Sequence, residues 1–259
     1  MSRGGKQFAK LLRKVCHVEG IRGPATSAEW TRLPVYTLTF ANPPGVDSLG
    51  VRIDCGDVVK IRIPNFKPTS YSMSAERPGE FDVTYKLYPG GMCSGYLDSL
   101  KVGDDISVYR TGYKQRRAGS HVGFIAYGIG ITEALPIAAA ELAKPEPEQV
   151  RLLWANKTCG DQFWHKEIES LQAAHPTRFS VVHILSREKR HGSLYGRCSS
   201  AVLAQVFDRV WGTAADGPNA ANRNDARFLT VGTESMMEET KGMLREIGYS
   251  VPGQHALLR

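Results

Sequence analysis

Residues 122–142 read VGFIAYGIGITEALPIAAAEL: an apolar run, a pair of glycines and a helix-length segment in immediate succession. The run from Val122 to Tyr127 is short and free of charge, as a strand buried on both faces must be. Gly128 and Gly130 form the turn, and 132–142 carries its apolar residues at helical spacing. Glycines at a strand-to-helix turn let the backbone approach a phosphate. The helix that follows offers free N–H groups and the positive end of its dipole. Glu133 stands where the third glycine of a dinucleotide fingerprint would fall. On these residues alone the turn is either an anion cradle or a tight βα connection that needs glycine for packing.

Downstream the same texture repeats. Segments 150–156, 179–185 and 228–232 read as buried strands, and 162–174, 199–207 and 235–247 as helices, with Gly248 a C-cap. Strand and helix in alternation predict βαβ units and a parallel sheet. The stretch 216–225, rich in Asn, Asp and Gly, predicts a surface loop.

Upstream the texture differs. Short alternating strands are expected at 14–19, 34–40, 58–63, 71–74, 81–88 and 105–110, with a helix at 94–100. Pro43-Pro44-Gly45, Arg77-Pro78-Gly79 and Pro89-Gly90-Gly91 supply turns between them. Strands at this spacing suggest an antiparallel barrel or sandwich. The expected organisation is a basic extension over 1–13, a barrel domain over 14–118 and an α/β domain over 119–259.

The bulk numbers agree with a globular chain of two domains. Of 259 residues, 42% are apolar and 23% charged. No run of apolar residues is long enough to span a bilayer as a helix. Five cysteines (Cys16, Cys55, Cys93, Cys159, Cys198) are odd in number, widely spread and without a C-x-x-C pair. That argues against a disulfide framework and for a reducing compartment, cytoplasmic or organellar, with the mitochondrion included. It also leaves no cysteine set for zinc or an iron–sulfur cluster, and no histidine spacing suggests a resident metal or haem.

The net charge of +7 lies wholly in the first half: 18 Lys+Arg against 11 Asp+Glu up to residue 118, and 15 against 15 beyond it. Arg3, Lys6, Lys10, Arg13 and Lys14 all precede the first acid, Glu19. Such a terminus reads as a solvated tail, a transit segment, a docking arm for an acidic partner or a peripheral membrane contact. No stripe of cations interleaved with aromatics points to nucleic acid.

Two further stretches can carry chemistry. Gly90-Gly91-Met92-Cys93-Ser94-Gly95 opens the short helix and is either a second anion cradle or a loop capped by Ser94. Tyr71-Ser72 sets a flat ring beside a hydroxyl in an extended segment. The order of these pieces is informative: Tyr-Ser, Gly-x-x-Ser, Gly-x-Gly-x-Thr, then Val231-Gly232-Thr233-Glu234-Ser235-Met236. That order resembles the ferredoxin–NADP reductase superfamily, and especially its cytochrome b5 reductase-like branch. The stretch FDVTYKLYPGGMCSGYLDSLKVGDDISV (81–108), the segment LLWANKT (152–158) and residues 236–249 carry the rest of the likeness.

The resemblance implies an antiparallel β-barrel flavin-binding domain followed by an α/β parallel-sheet nucleotide-binding domain. It implies that Tyr71 stacks on the isoalloxazine of FAD and that Ser72 approaches its N5 edge. Gly91, Met92, Cys93 and Ser94 would hold the pyrophosphate through backbone amides. Gly128, Gly130 and Thr132 would line the nicotinamide nucleotide, Thr132 nearest the nicotinamide, and Gly232 and Met236 belong to a second nucleotide loop. Ser186, Arg187 and Arg197 resemble the residues that hold a 2′-phosphate, which favours NADPH, with NADH the alternative. The expected partners are NAD(P)H and an electron-acceptor protein bearing haem or an iron–sulfur centre. Three positions depart from the family pattern. Thr69 replaces the arginine of R-x-Y-S, leaving Lys67 as the substitute cation; Glu133 replaces a proline, and Val231 a cysteine. These departures motivate the alternative of a degenerate relative that serves as a non-catalytic binding or assembly subunit.

Overall fold

Strand alternation sets the first unit. In 38–40 and 81–83, Leu38, Phe40, Phe81 and Val83 are fully buried, while the residues between them are polar. Side chains of period two place one set inside and the other outside. The computed structural model describes residues 7–24, 29–110, 119–208, 211 and 226–249. The chain divides into two units, residues 1–114 and 115–259.

In the first unit, β1 (Gln7–Val18), β4 (Val35–Ala41), β5 (Val58–Arg62), β6 (Thr69–Arg77), β7 (Glu80–Lys86) and β8 (Asp105–Arg110) close a barrel in the order β1-β4-β7-β6-β5-β8. All of its pairings are antiparallel. A small ribbon, β2 (Ile21–Arg22) with β3 (Trp30–Arg32), lies outside it. The interior is apolar, with Phe40 stacked on Phe81 at 5.3 Å between ring centroids. Each such side chain contributes roughly 1.5–3 kcal/mol by leaving water. The helix α1 (Met92–Ser99) adds Leu97 to the same core.

The outer wall carries a row of three hydroxyls and one histidine across four strands. Ser74 Oγ lies 2.9 Å from Thr84 Oγ1, Thr84 lies 2.7 Å from Thr37 Oγ1, and Thr37 lies 2.8 Å from His17 Nε2.

β1 begins at Gln7, so residues 7–13, expected in a basic extension, are barrel wall. The reason is alternation: Ala9 and Leu11 are fully buried while Lys10 and Arg13 face out. Arg13 pairs with Glu80 at 2.8 Å and Lys14 with Asp98 at 2.7 Å. Arg3 and Lys6 lie outside the described residues, and nothing in the structure supports a membrane contact by this segment. β6 runs on to Arg77, past the expected end at Ser74, because Arg77 is held by Asp82 at 2.8 Å across the hairpin. α1 starts two residues earlier than expected, because Ser94 is not its cap. The Ser94 hydroxyl instead accepts from the Tyr88 N–H at 3.1 Å.

The second unit is a parallel sheet of β9 (His121–Tyr127), β10 (Gln149–Asn156), β11 (Phe179–Leu185), β12 (Leu194–Tyr195) and β13 (Ala226–Val231), in the order β12-β11-β10-β9-β13. The connecting helices are α2 (Ile131–Leu142), α3 (His165–Ala174), α4 (Ser200–Leu203) and, after β13, α5 (Glu234–Glu246). α3 begins later than the expected 162, because Trp164 adopts a left-handed conformation (φ 58°) and a separate turn, Cys159–Asp161, precedes it. The expected helix 199–207 is capped by Ser199 but widens after four residues into a π turn, Ala204–Asp208. Gly248 ends α5 at φ 88°. Its N–H reaches Arg245 O and the Tyr249 N–H reaches Leu244 O, both at 2.9 Å, a Schellman closure. The predicted loop 216–225 lies outside the described residues.

Two outcomes follow from this packing. Thr84→Val removes the middle hydroxyl of the outer row and strands Ser74; denaturant unfolding should show a loss of about 1–3 kcal/mol. Burial, followed by the charges of His165 and Arg190, holds His183 below its usual pKa, so the folded state keeps the ring neutral. The unfolded chain takes up that proton first, so stability falls as pH drops through about 6.5. His183→Gln should flatten that acid limb in unfolding curves measured across the same range.

Candidate functional site

Each unit presents a glycine turn feeding a helix N-terminus, and each is built locally. In the barrel unit, Gly90 turns the chain at φ 67° and Gly91 starts α1. A Cβ on Gly91 would lie 2.7 Å from Ser94 Oγ and 3.0 Å from Tyr88 O, so only glycine passes there. No side chain caps the helix, which leaves the first-turn amides of Met92, Cys93 and Ser94 for solvent or an anion.

β6 brings two of the other expected residues to the same place. Thr69 Oγ1 lies 3.2 Å from Cys93 Sγ, which sets position 69 directly beside the first turn of α1. Burial, and then Cys93, push the Tyr71 phenol well above its ordinary pKa, so its ring stays neutral. Ser72 follows on the opposite face of β6, paired with Val58 of β5. Lys67 precedes β6 and, with Arg62 and Phe66, lines an open cleft of about 690 Å³. Neither Arg62 nor Lys67 makes an ion pair among the described residues. The sequence reading passed over Tyr88. Its carbonyl accepts from the Gly91 N–H at 3.0 Å, and the residue is 47% exposed. An aromatic residue just before Pro-Gly-Gly was the available signal.

These residues fit a flavin dinucleotide. The uncapped α1 turn suits its pyrophosphate, the neutral Tyr71 ring suits its tricycle, and the hydroxyl of Thr69 stands where a cation would be expected, with Lys67 two residues away.

In the second unit the strand order reverses between β9 and β13, and open α/β sheets bind ligands beyond the carboxyl ends of the strands at such a point. Gly128 (φ 51°) and Gly130 turn the chain there. The Trp154 indole N–H donates to Gly128 O at 2.8 Å and pins the turn to β10. A Cβ on Gly130 would come within 2.5 Å of Val231 O, and one on Gly232 within 2.9 Å of the Tyr127 ring. Tyr127, raised in pKa mainly by burial, lies with its hydroxyl 2.7 Å from Thr240 Oγ1. Thr233 caps α5, leaving Met236 exposed in its first turn. Thr132 is buried, and its hydroxyl donates back to Ile129 O at 2.9 Å.

The loops after β10 and β11 are joined. Ser186 N–H donates to Asn156 O at 3.0 Å and Arg187 N–H to Lys157 O at 2.9 Å. Gly196 N–H reaches Leu185 O at 2.9 Å, which brings exposed Arg197 to the end of β11 near Ser186. Asn156, which the sequence reading passed over, ends β10 with both side-chain amide atoms buried and without a hydrogen-bond partner in the chain. The glycine cradle, that amide and the cations after β11 fit a pyridine nucleotide. No group of three or more potential metal ligands occurs among the described residues.

A barrel with an uncapped anion turn and a parallel sheet with a glycine cradle at its switch point suit a protein that binds a flavin and a nucleotide. Residues 124–242 match the model of the oxidoreductase NAD-binding domain family. NADH-cytochrome b5 reductase 1 of Cryptococcus neoformans is 28% identical over 230 residues, covering 82% of this chain and 74% of that protein. The cytochrome b5 reductase domain of Ulva prolifera nitrate reductase superposes with a TM-score of 0.72 at 20% identity, covering 97% and 96% of the two chains. Ferredoxin–NADP+ reductase from Plasmodium falciparum does so with a TM-score of 0.65 at 19% identity, covering 95% and 91%. The chain spans 51% to 74% of the length of the curated relatives it matches. The chain has the fold of these reductase structures, its second unit matches the oxidoreductase NAD-binding domain, and the likenesses support FAD and a pyridine nucleotide as ligands.

The two glycines of the cradle separate by their reasons for being glycine. Gly130→Ala forces a methyl into a backbone carbonyl and should cost about 3 kcal/mol with loss of nucleotide binding. Gly128→Ala meets open space and only the left-handed penalty, about 1 kcal/mol. Unfolding curves and calorimetric titration with NADPH would rank the two.

Proposed function

We propose that this protein draws electrons from NADPH through FAD and delivers them to a separate protein bearing haem or an iron–sulfur centre. The observation that carries the reading is the meeting of Thr69, Tyr71 and Cys93 at the uncapped first turn of α1. When bound, the nicotinamide would supply a hydride and the flavin would accept it as a pair of electrons to be released singly. The chain's own part is geometry. Tyr71 orients the flavin ring, Ser72 offers a hydroxyl at its edge, and the amides of 91–94 with Lys67 balance the pyrophosphate. Gly128, Gly130, Thr132, Gly232 and Met236 shape the nucleotide groove. No side chain need act as general acid or base for a hydride shift, so positioning dominates the rate.

NADPH is favoured over NADH by the loop after β11. Ser186 occupies the position from which an acid would claim a ribose 2′-hydroxyl, and exposed Arg187 and Arg190 make no ion pair among the described residues. The relatives are named for NADH and for cytochrome b5; the acceptor read here is of that kind. A second reading rests on Thr69: without a cation at position 69 the chain would be a binding or assembly subunit that has kept the fold.

The test is an absorption spectrum of purified protein incubated with FAD, desalted and treated anaerobically with NADPH. Flavin bands that bleach are the expected outcome. Bands that bleach only with NADH would reverse the nucleotide assignment, and a colourless protein would decide for the second reading.

A further inference from the structure

The loop after β11 holds one acid, Glu188, among the cations Arg187, Lys189 and Arg190. A carboxylate in such a run would be expected to neutralise its neighbours. It is held by a cysteine of the neighbouring loop instead. Glu188 Oε2 accepts from the Cys159 backbone N–H at 2.9 Å, and Oε1 accepts from the Cys159 thiol at 3.2 Å. Both contacts reach into the neighbouring loop, after β10. That anchor is itself stiff. Cys159 opens a turn closed by a capping box, in which Asp161 Oδ2 accepts from Thr158 N–H at 3.1 Å and from the Thr158 hydroxyl at 2.8 Å.

The clasp completes a sequence of contacts. Beyond the ends of the two strands, Ser186 N–H and Arg187 N–H still donate to Asn156 O and Lys157 O at 3.0 and 2.9 Å. Glu188 then locks the next residue across. Residues 186–188 are thereby tied to 156–159 by two backbone hydrogen bonds and by two contacts of the Glu188 carboxylate with Cys159. The carboxylate is drawn to the β10 side, while Arg187 and Arg190 stay exposed without an ion pair among the described residues. Lys189 lies over the Tyr195 ring at 5.1 Å. Two guanidinium groups left unneutralised beside a serine form an anion site of the kind a phosphomonoester occupies.

We propose that Glu188 is a positioning residue for nucleotide specificity: held by Cys159, it fixes the 186–190 loop and leaves Arg187 and Arg190 to a 2′-phosphate. The inference rests on the NADPH reading above. Its probes are 2′-phospho-AMP and AMP, which differ only in that phosphate.

Calorimetric titration of the full chain should show tighter binding of 2′-phospho-AMP than of AMP. Glu188→Ala should weaken 2′-phospho-AMP about tenfold, the worth of one charge-assisted hydrogen bond at the low end, and leave AMP unchanged. Amide hydrogen exchange at Ser186 and Arg187 should quicken in that variant. Glu188→Gln, which keeps an acceptor for the Cys159 N–H, should restore most of the selectivity and the protection. A preference for 2′-phospho-AMP that survives Glu188→Ala would overturn the inference while sparing the NADPH reading. Equal binding of the two nucleotides by the unaltered protein would overturn both.

Discussion

The close approach of Gly130 to the carbonyl of Val231 is the constraint on which the second unit's site depends. The connection leaving β9 passes over the end of β13 with no room for a methyl group, since a Cβ there would sit 2.5 Å from that oxygen. This contact fixes where the turn ends and therefore where α2 begins at Ile131. The direction of the first-turn amides, and with it the anion-binding character of the turn, is set by one backbone-on-backbone contact. Trp154 holds the other end of the turn through Gly128 O, so the cradle is fixed between β10 and β13 and tolerates little adjustment.

Charge is distributed by the same logic of fixed neighbours. The cations of β1 lie on the outer wall of a barrel, where Arg13 and Lys14 meet Glu80 and Asp98. Such partly exposed pairs contribute little to stability, but they neutralise charge that composition alone assigned to a free basic arm. After β11 the arrangement is opposite: the local acid is withdrawn by Cys159 and the arginines remain uncompensated. The sign and number of charges are similar in the two places, and only their neighbours distinguish a structural surface from an anion site.

Much of the architecture was legible in the chain itself. Buried strands in 122–127, 150–156 and 179–185 announce themselves as apolar runs, because a parallel strand covered on both faces has no polar side to show. Gly90-Gly91 and Gly128-x-Gly130 mark the helix starts, because few other residues can turn so tightly against a neighbour. What was harder to read is long-range. Tyr88 carries no motif of its own, and Asn156 looks like any polar residue ending a strand. Ser94 has the chemistry of a cap but spends its hydroxyl on the Tyr88 N–H. The start of β1 was missed because its alternation is hidden under the cations Lys10, Arg13 and Lys14.

The sequence by itself determined the order of elements, the change from period-two to helical spacing near residue 118, and the glycine turns, since each depends on residues close together along the chain. Only the tertiary structure decided that Thr69 meets Cys93, that Gly130 lies against Val231, and that Glu188 is held by Cys159. Those pairs are separated by tens of residues. Their meeting is fixed by strand register and by the packing of buried side chains, which are properties of the folded chain as a whole.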